Sequence, residues 1–574
     1  MMINNSRSGE IESSKYRVYS VMAIMCAAAL VLIGQLIRWQ IIEHHRFVAW
    51  AEAEHQDELV LPARRGDIRD RNGHLLATDL IQYDISVSPK IISDPEGTAE
   101  RLATVLDIPE DKLLAVLNSK SPWTPLVNGA PQSVGETIIG WDIVGVQVEP
   151  RPKRVYPEGD MAAHLLGFVN SNGNGFYGIE GYYDNMLKGK PGLQAGERGP
   201  FGEIIPLAGS HFIPPVAGST LYLTIDRNIQ YLIESELRQA IIQYQAQRGA
   251  IVVLEPKTGA VLGMASYPSY DPNNYAASED HLFPDPAVSE QYEPGSVFKI
   301  VTMAAGLDAG AVGHLGTIYD GGSIEVGGRV IYNWDRQSHG TVDMTDVLAK
   351  SLNVGVAQIA VALGKERFYT YVRRFGFGRL VEIDLGNEGP GTLKTPMEAS
   401  WHESDLGTNS FGQGIAVTPI QIAAAVGAIA NEGLLVKPYV VQRIVDGERS
   451  IEVKPTVVRR AVSADTAKKL TDMLVEAQER ANSLALLPGY RVAGKTGTAQ
   501  IPVPGGYHPT LTLASFAGYF PADDPQVLVL IIIDRPLTSK WGNETAAPAF
   551  RRIAEQLVVL LDIPPDELRL AMNN

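Results

Sequence analysis

One stretch near the N-terminus limits this chain more than any other. Val18 to Ile37 carries no charge and is mostly apolar. Twenty such residues in a helix span roughly 30 Å, the thickness of a bilayer's hydrocarbon layer. Lys15 and Arg17 precede the run, and Arg38-Trp39 follows it. A cleaved signal peptide would have a shorter apolar core and a small-residue cleavage site. Gly34-Gln-Leu-Ile-Arg-Trp-Gln40 offers no such site, so the run is read as an uncleaved transmembrane anchor. Arg7, Lys15 and Arg17 outnumber Arg38 and Arg46, which puts the short N-terminus in the cytoplasm and the bulk of the chain outside.

The 574 residues are too many for one core, so two or three domains are expected. The net charge of −16 argues against nucleic acid as a partner, because phosphate binding needs a basic surface. The single cysteine, Cys26, excludes an intrachain disulfide and any cysteine-based metal site. No His-Glu-x-x-His pattern occurs.

The pattern divides the chain into a tail (1–17), the anchor (18–37), a polar helical stalk (38–61), a mixed α+β pedestal (62–216) and a larger α/β domain (217–574). Asp70-Arg-Asn-Gly73 is a turn between two extended runs. The stretch from Ser119 to Gly135 reads as loop. Gly173-Asn-Gly-Phe-Tyr-Gly178 matches a dinucleotide fingerprint, but no βαβ unit surrounds it, and turn-forming glycines explain it better. Beyond Gly218, a strand at 221–226 and a helix at 228–244 precede a hairpin around Pro256-Lys-Thr-Gly259. Strands at 490–500, 512–520 and 527–533 follow a long helical region, and a helix at 546–561 closes the chain. Strands at both ends with helices between predict one α/β domain whose sheet is completed by distant segments.

Three short motifs carry chemistry. In Glu293-Pro-Gly-Ser296-Val-Phe-Lys299, a turn opens an apolar helix and sets Ser296 and Lys299 on one face. A serine hydroxyl needs a base to become nucleophilic, and a desolvated lysine can serve. Ser351-Leu-Asn353 supplies a hydroxyl and an amide at a helix end. Ala493-Gly-Lys495-Thr-Gly-Thr498 offers a cation, hydroxyls and an extended backbone. Each motif alone is common: a surface serine beside a solvated lysine, a polar helix end and a glycine bulge would explain them. Together and in this order they match the set S-x-x-K, S-D-N and K-T-G of class A β-lactamases and penicillin-binding proteins, with Leu352 in the middle place of the second.

The chain resembles a class B penicillin-binding protein along nearly its whole length. The pedestal carries the more specific part of the likeness: Arg65-Gly-Asp-Ile-Arg-Asp-Arg-Asn-Gly73, Arg154-Val-Tyr-Pro157 with Ala163-His-Leu-Leu-Gly167, and Gly178-Ile-Glu-Gly-Tyr-Tyr-Asp184. A free-standing β-lactamase has no pedestal. Ala499-Gln-Ile-Pro-Val503 and Ala514-Ser-Phe-Ala-Gly-Tyr-Phe-Pro-Ala522 are similar to division-type, FtsI-like members rather than elongation-type ones.

The resemblance implies a penicillin-binding-protein/serine β-lactamase-like α/β (α+β) transpeptidase fold behind the pedestal and anchor. It implies a peptidoglycan D,D-transpeptidase in the inner membrane, with stem peptides ending in D-Ala-D-Ala as donor and an amine as acceptor. Ser296 would be the nucleophile, Lys299 its base, Ser351 a proton carrier and Asn353 a substrate holder. Lys495, Thr496, Gly497 and Thr498 would bind the terminal carboxylate and align the donor. The N–H groups of Ser296 and Thr498 would form the oxyanion hole. β-Lactams would be trapped at Ser296. No metal or organic cofactor is implied, and a SEDS-family glycosyltransferase and division proteins would be partners. The alternatives are an elongation-type enzyme, a D,D-carboxypeptidase, and a penicillin-sensing receptor or silent scaffold. The last should have lost Ser296, Lys299 or Lys495, and all three remain.

Overall fold

In the computed structural model, which describes residues 7–47, 56–198, 204–205 and 211–572, the N-terminal apolar run lies within one helix, α1 (Arg7–Ile37), continued by a π-turn over Arg38–Ile42. It is the one helix among the described residues long and apolar enough to cross a membrane, and its apolar window, of mean hydropathy 2.3, is not buried inside the protein. The expected helical stalk ends sooner. Residues 48–55 lie outside the described residues, and Gln56–Leu61 is a strand paired antiparallel with Gly192–Arg198. Its partner is distant in sequence, so no local periodicity announces the pairing.

The chain packs as two compact units. The smaller takes its residues from Met1–Ala63, Gln82–Arg151 and Lys190–Val216. Its core gathers Ile85, Val87, Leu102, Leu113, Leu117 and Ile138, from one strand and three short helices. The segment read as loop from Ser119 to Gly135 contains a strand, Thr124–Pro131, and the start of a helix, Gln132–Ile139. The strand lies at the end of its sheet, where Pro125 and Pro131 cost the least, since proline has no N–H for a further ladder.

Residues 64–81 and 152–189, within the stretch read from sequence as the pedestal, pack with the larger unit. Buried ion pairs hold these two segments to each other. The Glu180 carboxylate, fully buried, accepts from Arg65 Nε at 2.6 Å and from Arg154 Nε at 2.6 Å. Arg65 also reaches Asp184 at 2.7 Å, and Arg154 reaches Asp79 at 3.2 Å. Two buried guanidiniums face three carboxylates, a cluster whose pieces cannot separate without exposing unpaired buried charge. The glycine-rich Gly173–Gly178 stretch sits here as a short strand and turn before the helix Gly178–Tyr182.

The larger unit is organised around a five-stranded antiparallel sheet: β1 (Arg248–Leu254), β2 (Val261–Tyr267), β3 (Ala493–Val503), β4 (Gly506–Phe520) and β5 (Val527–Asp534), in the order β2-β1-β5-β4-β3. In β5, Val527, Val529, Ile531 and Ile533 face one layer, and Leu528, Leu530 and Ile532 the other. Period-two alternation with every position buried marks a strand covered on both faces. On the first face lie α2 (Arg227–Tyr244), through Ile229, Ile233 and Leu237, and α8 (Ala546–Leu560), through Phe550, Ile553 and Leu557. On the second lie α3 (Lys299–Asp308), α6 (Pro419–Ala430) and α7 (Ala464–Arg480). Each of these large side chains contributes about 1.5–3 kcal/mol by leaving water. Two further helices, α4 (Met344–Ala349) and α5 (Asn353–Leu363), complete the surroundings of the site.

Two features place that site. Among the described residues β3 pairs only with β4, which leaves its other edge without a strand. The buried face of α3 holds a short 3-10 turn, Gly295–Phe298, against β3.

Candidate active site

Ser296 sits in that 3-10 turn. Gly295 before it has φ +55, a left-handed conformation that glycine adopts without cost. A Cβ there would meet Ala499 Cβ at 3.1 Å and Thr498 O at 3.2 Å, so glycine also permits the close approach of turn and strand. Gly497 answers from the strand: a side chain there would run into Ser515 Oγ and into Val297 Cγ2 at 2.9 Å.

Ser351 lies between α4 and α5 with φ +54. This strained position turns its side chain onto the serine: Ser351 Oγ donates to Ser296 Oγ at 3.0 Å. Lys299, one turn after Ser296, is fully buried. Its Nζ contacts Ser351 O at 2.6 Å, Ser351 Oγ at 3.1 Å and Asn353 Oδ1 at 2.8 Å. Ser351 is therefore the link between Ser296 and Lys299. Asn353 also donates through Nδ2 to Tyr332 O at 3.1 Å, which fixes its amide orientation.

Lys495 and Thr498 face the same space from β3. Lys495 is nearly fully buried, and among the described residues its ammonium meets only its own neighbour Thr496, at 3.3 and 3.4 Å. Among the described residues no carboxylate pairs with it. Thr498 Oγ1 accepts from Gly542 N at 3.1 Å.

The electrostatics follow from this burial. Loss of solvent pushes the Lys299 ammonium well below the usual lysine range, and the nearby Lys495 pushes it further. Burial brings Lys495 down to about 8. The site thus favours a neutral amine at Lys299 beside the serine hydroxyls and keeps a lone cation at Lys495, suited to an anionic ligand.

A cavity of about 510 Å³ opens over these groups, lined by Ser296, Ser351, Lys495, Thr496 and Thr498. Asn353 borders an adjoining cavity of about 390 Å³ that shares Thr498. The structure therefore brings all the sequence-derived site residues to one place. It also adds residues that the motifs did not supply. Trp334 and Trp541 line both cavities, their rings in edge contact 5.4 Å apart. Trp334 is anchored by its Nε1–H on Lys350 O at 3.1 Å. Gln478 donates to Gly494 O at 2.7 Å and steadies the start of β3. No spacing rule links these residues to Ser296. The one local hint was a tryptophan in each of two polar loops.

The family model described as the penicillin binding protein transpeptidase domain matches residues 249–555, and the penicillin-binding protein dimerisation domain matches residues 60–223. The chain is 34% identical to stage V sporulation protein D of Bacillus subtilis over 92% of its own length and 83% of the relative's. It is 31% identical to the peptidoglycan D,D-transpeptidase FtsI homolog of Mesostigma viride, over 96% of each. The crystal structure of penicillin binding protein 3 from Mycobacterium tuberculosis, complexed with aztreonam, superposes with a TM-score of 0.70 at 29% identity, covering 88% of this chain and 98% of that one.

Proposed function

The chain belongs to the class B penicillin-binding proteins, in their FtsI-like group, and on that footing we propose that it crosslinks peptidoglycan through an acyl-enzyme on Ser296. It is a peptidoglycan D,D-transpeptidase of cell-wall synthesis that binds β-lactams, and septal use fits its FtsI relatives. The observation that carries the serine mechanism is the chain of contacts from Ser296 through Ser351 to a buried Lys299.

In the first half-reaction, Ser296 Oγ attacks the carbonyl carbon of the penultimate D-Ala. Its proton passes through Ser351 towards the neutral Lys299 amine, the base of the site. A positioned base of this kind is worth about 10²–10⁴ in rate. The N–H groups of Ser296 and Thr498 receive the developing oxyanion, a contribution of about 10²–10³ per donor. The C–N bond then breaks, the terminal D-Ala leaves as an amine that takes the proton back through Ser351, and an ester remains on Ser296. In the second half-reaction an acceptor amine attacks the ester, forms the new peptide bond and returns the proton to Ser296 Oγ. Asn353 holds the donor amide, Lys495 with Thr496 and Thr498 holds the terminal carboxylate, and Gly497 lets the donor lie flat along β3.

The free edge of β3 supports this reading, since an extended peptide can add to it as a further strand. The apolar helix α1 supports an enzyme anchored by a single span, with its catalytic unit outside the cytoplasm. A SEDS-family glycosyltransferase is the proposed partner that supplies nascent glycan.

The test uses the full-length protein, reconstituted in lipid with a partner glycan polymerase and lipid-linked substrate. Crosslinked stem dimers should form with the wild type and be absent with Ser296→Ala. Free D-Ala without dimers would assign the chain to carboxypeptidases instead.

A further inference from the structure

The 390 Å³ cavity beside the catalytic one is basic, against the acidic balance of the chain as a whole. It is lined by Arg329, Arg336 and Lys540, with Asn353, Thr498 and Gln500, and no carboxylate lines it. The chain as a whole carries a net charge of −16. All three cations are exposed, and among the described residues none forms an ion pair. Arg336 rests over the Tyr332 ring at 5.5 Å, and Lys540 over Trp541 at 4.8 Å. Glu293 lies close enough to feel Arg329. Its Oε1 is held instead by Gly414 N at 2.9 Å and the Tyr507 hydroxyl at 3.2 Å.

The order of residues along β3 says what would reach these cations. The catalytic cavity is lined by Lys495, Thr496 and Thr498, and the basic one by Thr498 and Gln500. A donor with its terminal carboxylate at Lys495 and its scissile carbonyl at Thr498 must run on towards Gln500. Two strand residues cover about 7 Å, so the residue just before D-Ala-D-Ala arrives at the basic cavity.

We infer that Arg329, Arg336 and Lys540 form a specificity subsite that selects donor peptides whose residue before D-Ala-D-Ala bears a free carboxylate. The inference rests on the transpeptidase reading and adds a substrate class to it. Guanidinium and ammonium groups in a confined polar cleft recognise a carboxylate by charge-assisted hydrogen bonds. An amidated or aliphatic residue at that place makes no such bonds.

The test compares two synthetic thioester donors on the full-length protein in lipid. One carries diaminopimelate before the D-Ala thioester, and the other carries the same residue with its side-chain carboxylate amidated. Thiol release gives kcat/KM for each. The expected preference for the free acid is about tenfold, shrinking as salt screens it. Arg329→Gln with Lys540→Gln should bring the ratio to about one, and Arg329→Glu should favour the amide. The ratio is internal to each variant, so a general loss of folded enzyme does not alter it. Equal rates in the wild type, or a preference that these variants leave unchanged, would overturn the subsite while leaving the transpeptidase reading intact. A preference seen only when the carboxylate is on the acceptor would overturn it too. Failure of both donors together with failure of penicillin labelling at Ser296 would overturn the transpeptidase reading and the subsite with it.

Discussion

Gly542 tests how tightly the site is assembled. It is not among the residues with left-handed backbone, so alanine is permitted there by φ and ψ. The obstacle is steric. A Cβ at Gly542 would lie 2.6 Å from Ser515 O and closer still to Gly497 O, both backbone atoms of the β4-β3 pair, against an ordinary contact of 3.4 Å or more. Either β3 or the Trp541–Asn543 loop must therefore give way by about 1 Å. The first movement carries Lys495 and Thr498 away from Ser296. The second breaks the bond from Gly542 N to Thr498 Oγ1 and shifts Trp541. A misplacement of about 1 Å in a catalytic constellation costs on the order of 10² in rate. The overpacking itself costs about 1–3 kcal/mol of stability. Gly542→Ala should thus react with fluorescent penicillin about 100-fold more slowly, measured as the second-order rate of labelling, while thermal unfolding shows a folded protein. Gly313→Ala is the control, because its new methyl would meet only Gly316 N at 4.0 Å; it should stay within about twofold of wild type. If Gly542→Ala labels within about threefold of wild type, the close fit of β3 to the serine turn is not what sets the rate.

Other outcomes follow from the same structure. The pH profile of donor kcat/KM should be bell-shaped. It rises as Lys299 loses its proton and falls near pH 8 as Lys495 loses the charge that holds the carboxylate; Lys495→Arg should remove the alkaline fall, and an unchanged fall would acquit Lys495. Glu234 is raised to about 7 by burial, despite accepting from Ala162 N at 2.7 Å. A raised carboxyl favours the folded state at low pH and loses that advantage as pH climbs from 4.5 through 7. Glu234→Gln should therefore gain about 1–2 kcal/mol on the wild type between pH 5 and pH 8, after allowance for screening, and a pH-independent difference in unfolding midpoint would contradict this. Arg65→Met should lower stability by about 3–5 kcal/mol in denaturant titrations, because it removes a charge from the buried Glu180 cluster. A loss below about 1 kcal/mol would show that solvent reaches that cluster.

What the sequence made legible was what local chemistry determines. The anchor is an uncharged run, and α1 contains it. Helices α2 and α8 match their apolar periodicity to within a residue or two, although a further short helix, Asp566–Met572, and not α8, comes last, and β1, β2 and β5 match their apolar runs. The ordered motifs foretold a site that the fold does assemble. What stayed hidden depends on distant partners. The strand at Gln56–Leu61 exists because Gly192–Arg198 lies beside it. The strand read as 490–500 is shifted to Ala493–Val503, the one read as 512–520 extends back to Gly506, and the two join in a hairpin through Pro502 and Tyr507. The left-handed Ser351, which turns a polar helix end into a bridge between nucleophile and base, is set by the packing of α4 and α5. Also hidden was how residues 64–81 and 152–189 come together within the larger unit, because Glu180 meets Arg65 and Arg154 across gaps of 115 and 26 residues.

The most direct measurement is the mass of the full-length protein after brief exposure to benzylpenicillin, followed by peptide mapping. Ser296 lies against Ser351, beside a buried lysine with a depressed pKa. The expected result is one adduct per chain with the mass of the intact β-lactam, on the peptide that contains Ser296, and none in Ser296→Ala. An unmodified wild type, or an adduct that survives Ser296→Ala, would contradict the assignment of Ser296 as the nucleophile.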